Sequence, residues 1–181
     1  MSTATLIGII VAAVVVVLAL TVTLVVLSRR RRLRDRFGPE YGRAVREEGG
    51  RLAAERELRS REQRHEKLEI KELPAERRHQ YADEWRGVQE RFVDRPEGSV
   101  ADADALVSRL MRERGYPTDE GFDGRVRDLS VEHGSTLGHY RAAHTVKTRS
   151  AEGGATTEEL RGAMVHYRAL FAELLDDERT R

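Results

Sequence analysis

Cysteine is absent from this sequence, so a disulfide framework, a thiolate metal site and a cysteine nucleophile are all excluded at the outset. Aromatic residues make up only 6% of the chain against 35% charged residues. Once the valines and leucines of the N-terminal run are set aside, the apolar material left over can build only a small core. Outside that run no segment alternates β-branched and polar residues with period two, and no hairpin dipeptide joins two such segments. The expected fold class is therefore all-α.

Chemical signatures are scarce as well. HEXXH does not occur, and the glycine pairs at 49–50 and 153–154 lack both the strand–loop–helix context and the lysine of a phosphate-binding loop. Sequence-adjacent carboxylates such as Asp102 and Asp104, or Asp176 and Asp177, do not face one another on a helix and do not make an acid/base pair. Neither a cofactor nor a catalytic residue is indicated, and the chain reads as a non-enzyme.

What is present begins with LIGIIVAAVVVVLALTVTLVVL, residues 6–27, which runs 22 residues without a charge. As a helix it measures about 33 Å, the thickness of a bilayer's hydrocarbon core. A cleavable signal would want a basic leader, a shorter apolar stretch and a small-residue cleavage site. Here residues 1–5 carry no basic side chain, and arginines stand where that site would fall. The reading is a single transmembrane helix over 6–27 that is retained.

The six arginines Arg29, Arg30, Arg31, Arg32, Arg34 and Arg36 follow at once, within a basic segment spanning 28–39. Positive flanks resist translocation and are attracted to anionic inner-leaflet lipid, so residues 1–5 are expected outside and the rest in the cytoplasm. The same six side chains are the candidates for contact with lipid headgroups. They are first a topology signal; a dedicated anionic-lipid patch is the rival reading.

Charge is distributed unevenly beyond the span. Residues 29–67 hold 14 Lys and Arg against 8 Asp and Glu, net +6, whereas residues 68–181 hold 18 against 23, net −5. An acidic head on a basic neck is a poor grip for nucleic acid.

Gly38-Pro39 should interrupt the membrane helix. Residues 40–73 are Arg/Glu-rich, with acid-to-arginine pairs at Glu47/Arg51, Glu55/Arg59 and Glu57/Arg61, and read as a charged helical stalk. The apolar positions Val45, Leu52, Leu58 and Leu68 keep no sustained heptad, so a weak homodimeric coiled coil is only the alternative.

The head is expected over 74–175. Tyr81, Trp85, Val88 and Phe92 recur at 4, 3, 4 after Pro74; Val100, Ala103, Leu106, Val107, Leu110 and Met111 form a second stripe capped by Ser99 and ended by Gly115. Phe122, Val126 and Leu129 fit a short helix. His133, Leu137, Tyr140 and His144 suggest a helix capped by Ser130, in which Gly134 and Gly138 are unfavourable. Thr156 and Glu159 make a capping box ahead of Leu160, Met164, Tyr167, Phe171 and Leu174. Residues 176–181 read as a disordered tail.

Several of these segments, WRGVQERFVDRP, ADALVSRLMRERGYP, DLSVEHG, HYRAAH and TEELRGAMVHYRALF, resemble an uncharacterised family of small, single-span actinobacterial proteins known only as hypothetical, membrane or secreted. The resemblance implies the layout of anchor, stalk and helical head. It implies no activity, ligand or partner.

Two candidate sites remain in the head. His133, His144 and His166 invite a metal reading, though no two histidines sit at i,i+4 on one helix; packing histidines bonded to Glu132, Glu158 or Glu159 are the plainer account. Tyr116 and Phe122 flank an acidic loop and could form a partner surface, or Tyr116 could fold back over the helix end. The functional expectation is a membrane-tethered cytoplasmic interaction or scaffold module with an unknown protein partner. A metal-dependent enzyme and an anionic-lipid sensor are the alternatives.

Overall fold

In the computed structural model, residues 3–176 are described, with side chains from Ala12 onward. The expected tail lies outside these residues apart from Asp176, as do Met1 and Ser2 of the expected N-terminal segment. The described chain is all helical: α1 (Thr3–Phe37), α2 (Pro39–Glu47), α3 (Arg51–His65), α4 (Ala75–Arg91), α5 (Pro96–Glu113), α6 (Gly121–Leu129), α7 (Leu137–Ala151) and α8 (Thr157–Asp176). One helix among the described residues is long and apolar enough to cross a membrane, over Ala12–Phe37. Its large apolar side chains from Val14 to Leu27 are between 40% and 66% exposed among the described residues.

The head is built on α8. Its stripe of Leu160, Met164, Tyr167, Phe171 and Leu174 packs against α7 on one side and α5 and α4 on the other. Trp85 of α4 stacks on Phe171 with ring centroids 4.7 Å apart. The three stripes read from helical spacing all lie in this core, Phe92 at its edge, because each apolar face has nowhere else to leave water. The capping box forms as expected: Thr156 N–H donates to Glu159 Oε2 (2.8 Å) and Glu159 N–H to Thr156 Oγ1 (3.3 Å). The Thr156 N–H first, then Arg149 and the Thr156 hydroxyl, donate to the Glu159 carboxyl and pull it down to about 2.

Two helix starts differ from expectation. α5 begins at Pro96, where a missing N–H costs nothing in the first turn, and Ser99 is buried inside it rather than capping it. α7 begins at Leu137 instead of near Ser130. Residues 130–136 turn instead, and Gly134 lies where the end of α1 arrives: a Cβ there would sit 2.6 Å from the Phe37 carbonyl oxygen.

The charged segment 40–73 is helical over Pro39–Glu47 and Arg51–His65 but not from 66 to 73, and it does not run on as a rod away from α1. α1 stops at Phe37, and the chain breaks again at Gly49-Gly50. α2 and α3 fold back on each other and on the arginine end of α1. A second apolar cluster results, from Leu33 and Phe37 of α1, Tyr41 and Ala44 of α2, Ala54 and Leu58 of α3, and Val131 of the head. Leu58, which a dimeric coil would need on its seam, is fully buried inside the chain, whereas Leu52 is 65% exposed.

Polar contacts bind this hairpin to the head. Arg141 of α7 forks onto Glu40 of α2, with Nη2 2.7 Å from Oε2. Arg64 at the end of α3 donates to Asp128 (2.8 Å) and Glu120 (2.6 Å) around α6. Buried Arg114 donates to the Lys71 carbonyl (3.2 Å) and to the Leu174 carbonyl at the end of α8 (2.7 Å). The end of α1, the hairpin and the head therefore form a continuous packed unit.

Candidate functional site

The arginine end of α1 divides by what each side chain meets. Arg30 Nε stands 3.1 Å from Glu55 Oε1, and Arg36 Nη1 donates to Glu62 Oε1 at 3.3 Å. The Arg34 guanidinium lies over the Tyr41 ring, 5.4 Å from its centroid, in cation–π range. Arg29, Arg31 and Arg32 have no carboxylate partner among the described residues. Three of the six arginines are thus committed to the fold, and three are left for a ligand or a surface.

Glu55 is the residue that organises this end. It is 4% exposed, accepts the Tyr41 hydroxyl at 3.1 Å, and lies near Arg59 of its own helix (3.7 Å) as well as Arg30. Burial, then the neighbouring Glu55, raise the Tyr41 pKa above its ordinary value. Between α1 and the hairpin lies a groove of about 660 Å³ with apolar Leu24 and Leu27 at one end and Arg30, Arg31, Arg34 and Arg51 at the other. A smaller hollow of about 300 Å³ opens on the opposite side, where Arg29 and Arg32 face Arg59, Glu62 and Glu66.

A second polar constellation is buried where hairpin meets head. The Tyr116 hydroxyl lies 3.0 Å from Glu132 Oε2 and 3.1 Å from His133 Nε2. His133 Nδ1 is 2.9 Å from Glu173 Oε1 of α8. His65 Nε2 at the end of α3 stands 3.5 Å from Glu132 Oε2, longer than a good hydrogen bond. The contact with His65, joined by Tyr116 and His133, pulls the Glu132 carboxyl down to about 2 against a desolvation penalty of opposite sign. A carboxylate–imidazole–phenol chain could in principle relay a proton; Tyr116 and His133 are 1% and 0% exposed, and the network joins α3, the loop at 116, the turn at 132–133 and α8.

Tyr116 is accordingly a buried residue and not a surface one: it folds back over the end of α5, where its N–H donates to the Met111 carbonyl (3.0 Å), because a phenol ring gains more from burial than from water when its hydroxyl keeps partners. Phe122 is half-buried, stacked on His144 at 3.7 Å and tilted against Tyr140 at 5.1 Å. The partner surface expected from this pair is taken up inside the head.

His133, His144 and His166 are not brought together. His133 belongs to the buried network, and His144 lies against Phe122, where burial lowers its pKa. His166 of α8 faces His139 of α7 across 2.9 Å between their Nδ1 atoms; burial and that neighbour lower its pKa. Among the described residues no three His, Asp or Glu side chains converge as a metal site.

Glu173 escapes sequence reasoning, as do the long-range partners of Glu55, Arg51 and Glu132, which read only as local helix pairs and as a histidine partner, since each is one charge among many in a chain rich in charge. One signal was there to find. Phe37, Tyr41 and Ala44 are spaced 4 and 3, and Ala54 and Leu58 by 4, the pattern of a small packed face on either side of Gly49-Gly50. No protein-family model, curated protein or solved structure matches the chain.

Proposed function

We propose that the chain is a single-span membrane protein whose head faces the cytoplasm and works as an interaction module held against the bilayer surface. The carrying observation is the junction. The uncovered apolar length of α1 ends in arginines that the α2–α3 hairpin grips through Glu55 and Glu62, and the hairpin is tied in turn to α6 and α7. A head so seated keeps one face toward the lipid and presents the other at constant height and orientation. Tethering of this kind raises the effective concentration of the head near other membrane proteins and lowers the affinity each contact must supply. The asymmetry of arginine around the span supports the cytoplasmic placement.

The test uses the absence of native cysteine. A Glu152→Cys variant, placed on the exposed turn after α7, should resist a membrane-impermeant maleimide in intact cells and react once the cells are permeabilised. Labelling in intact cells overturns the placement. Photo-crosslinkers at exposed Val93 and Val165 should give discrete protein adducts in the membrane fraction; adducts to lipid alone would overturn the interaction module.

A further inference from the structure

We infer that the groove between α1 and the α2–α3 hairpin is a binding site for a phosphate-bearing lipid whose headgroup carries two negative charges. Leu24 and Leu27 at one end belong to the apolar length of α1, while Arg30, Arg31, Arg34 and Arg51 ring the other. From Leu24 to Arg34 is ten residues, about 15 Å along the helix, which is the depth of a headgroup layer and the first part of the acyl region. A molecule matching both ends has an anionic head and an aliphatic tail in that order.

The site is made by tertiary structure, not by the arginine run alone. Arg51 comes from α3, and Gly49-Gly50 turns the chain so that it reaches the same groove as Arg31. It is the first residue of α3, whose N-terminus has no side-chain cap and no acid in its first turn. The positive end of that helix adds to the attraction for an anion at the groove's lip.

Charge sets the valence of the ligand. Asp35 also lines the groove, and Glu55 behind Arg30 answers that arginine, so two of the four guanidinium charges are already balanced. Arg31, Arg34 and Arg51 have no carboxylate partner among the described residues, Arg34 lying over the Tyr41 ring, and with Asp35 in the groove the net surplus is two charges. A net surplus of two guanidinium charges suits a doubly charged headgroup, a bis-phosphate or a phosphomonoester, over a singly charged phosphodiester, because arginine binds phosphate oxygens through paired N–H donors.

This rests on the reading that α1 spans a bilayer. The experiment reconstitutes the full chain in nanodiscs of phosphatidylcholine with charge-matched additions of phosphatidylglycerol, phosphatidic acid or cardiolipin, and reads retained lipid by native mass spectrometry. One doubly charged lipid should remain bound, with retention reduced roughly tenfold or more in Arg31→Gln/Arg51→Gln. Those two side chains hold no internal ion pair, so the junction should still fold. The control Arg29→Gln/Arg32→Gln removes the same charge from the opposite side and should keep the lipid. Equal loss in both variants, or equal retention of phosphatidylglycerol, overturns the site in favour of a diffuse basic surface. Displacement by inorganic phosphate would show a soluble-anion site and overturn the lipid assignment. A chain that does not enter nanodiscs at all fails the membrane reading instead.

Discussion

Arg30 and Glu55 meet at 3.1 Å across the interface between α1 and the hairpin, the carboxylate almost wholly buried and the guanidinium 36% exposed. Removing the carboxylate strands Arg30 and leaves the buried Tyr41 hydroxyl without its acceptor. Glu55→Leu should therefore loosen α2 and α3 from α1 by about 1–3 kcal/mol, less than a fully buried pair because solvent screens the arginine. Amide exchange should accelerate over 39–65 while protection in α5 and α8 persists. Unchanged exchange over 39–65 would deny Glu55 its organising role.

Glycine to alanine should act in opposite directions at two positions. Gly115 ends α5 at φ +96°, and a Cβ there would lie 2.3 Å from the backbone oxygen of Glu69. Gly115→Ala must both strain the backbone and push the 66–74 connector off the head, costing about 2–4 kcal/mol. Gly162 sits inside α8 with open space where its Cβ would be, so Gly162→Ala should stabilise the head by about 0.5–1 kcal/mol. Thermal unfolding in detergent measures both.

Asp104 of α5 is the polar anchor of the three-helix contact in the head. It accepts the Tyr167 hydroxyl at 3.1 Å and pairs with Lys147 Nζ at 3.2 Å. Burial first, and the Asp104 charge second, drive the Tyr167 pKa far above its ordinary value. Tyr167→Phe should cost about 1–2 kcal/mol, and Asp104→Ala more, because it leaves a buried hydroxyl unpaired. A double-mutant cycle should return a favourable coupling between them; additive effects would mean that the bond contributes nothing.

Stability should fall in acid through Glu132. Its folded pKa of about 2 lies below the ordinary 4.5, so the stability it contributes is complete above 4.5 and is lost as pH drops from there toward 2. The side chain is 37% exposed, and screening reduces the contribution to about 1 kcal/mol. Glu132→Gln should lower the melting temperature at neutral pH and flatten the acid limb of the stability profile. A limb as steep as in the parent would assign the acid sensitivity to other carboxylates.

Much of the fold was legible in advance because it depends on short-range periodicity. The stripes around Trp85, Leu106 and Tyr167 are written at 3–4-residue spacing, and the Thr156/Glu159 box is local by nature. The candidate site was half legible. Its six arginines are a composition feature, but which of them stay unpaired depends on Glu55 and Glu62, some 25 residues further on. Tyr116 had two readings, surface and cover, of which cover was the favoured one, and its buried ring with a hydroxyl partner at Glu132 and an imidazole at His133 is the cover.

An unbroken apolar run long enough for a bilayer, a basic flank on one side, an all-helical head and the absence of cysteine chemistry are properties of the linear chain, since they rest on hydrophobicity, charge and helical repeat over neighbouring residues. Folding decided the rest. Two turns at Gly38 and Gly49-Gly50 fold the charged segment back on α1, because burying Phe37, Tyr41, Ala54, Leu58 and Val131 together outweighs leaving each on a solvated rod. That burial carries Arg51 into the groove beside Arg31 and seats the head on the end of α1, and no spacing along the sequence contains it.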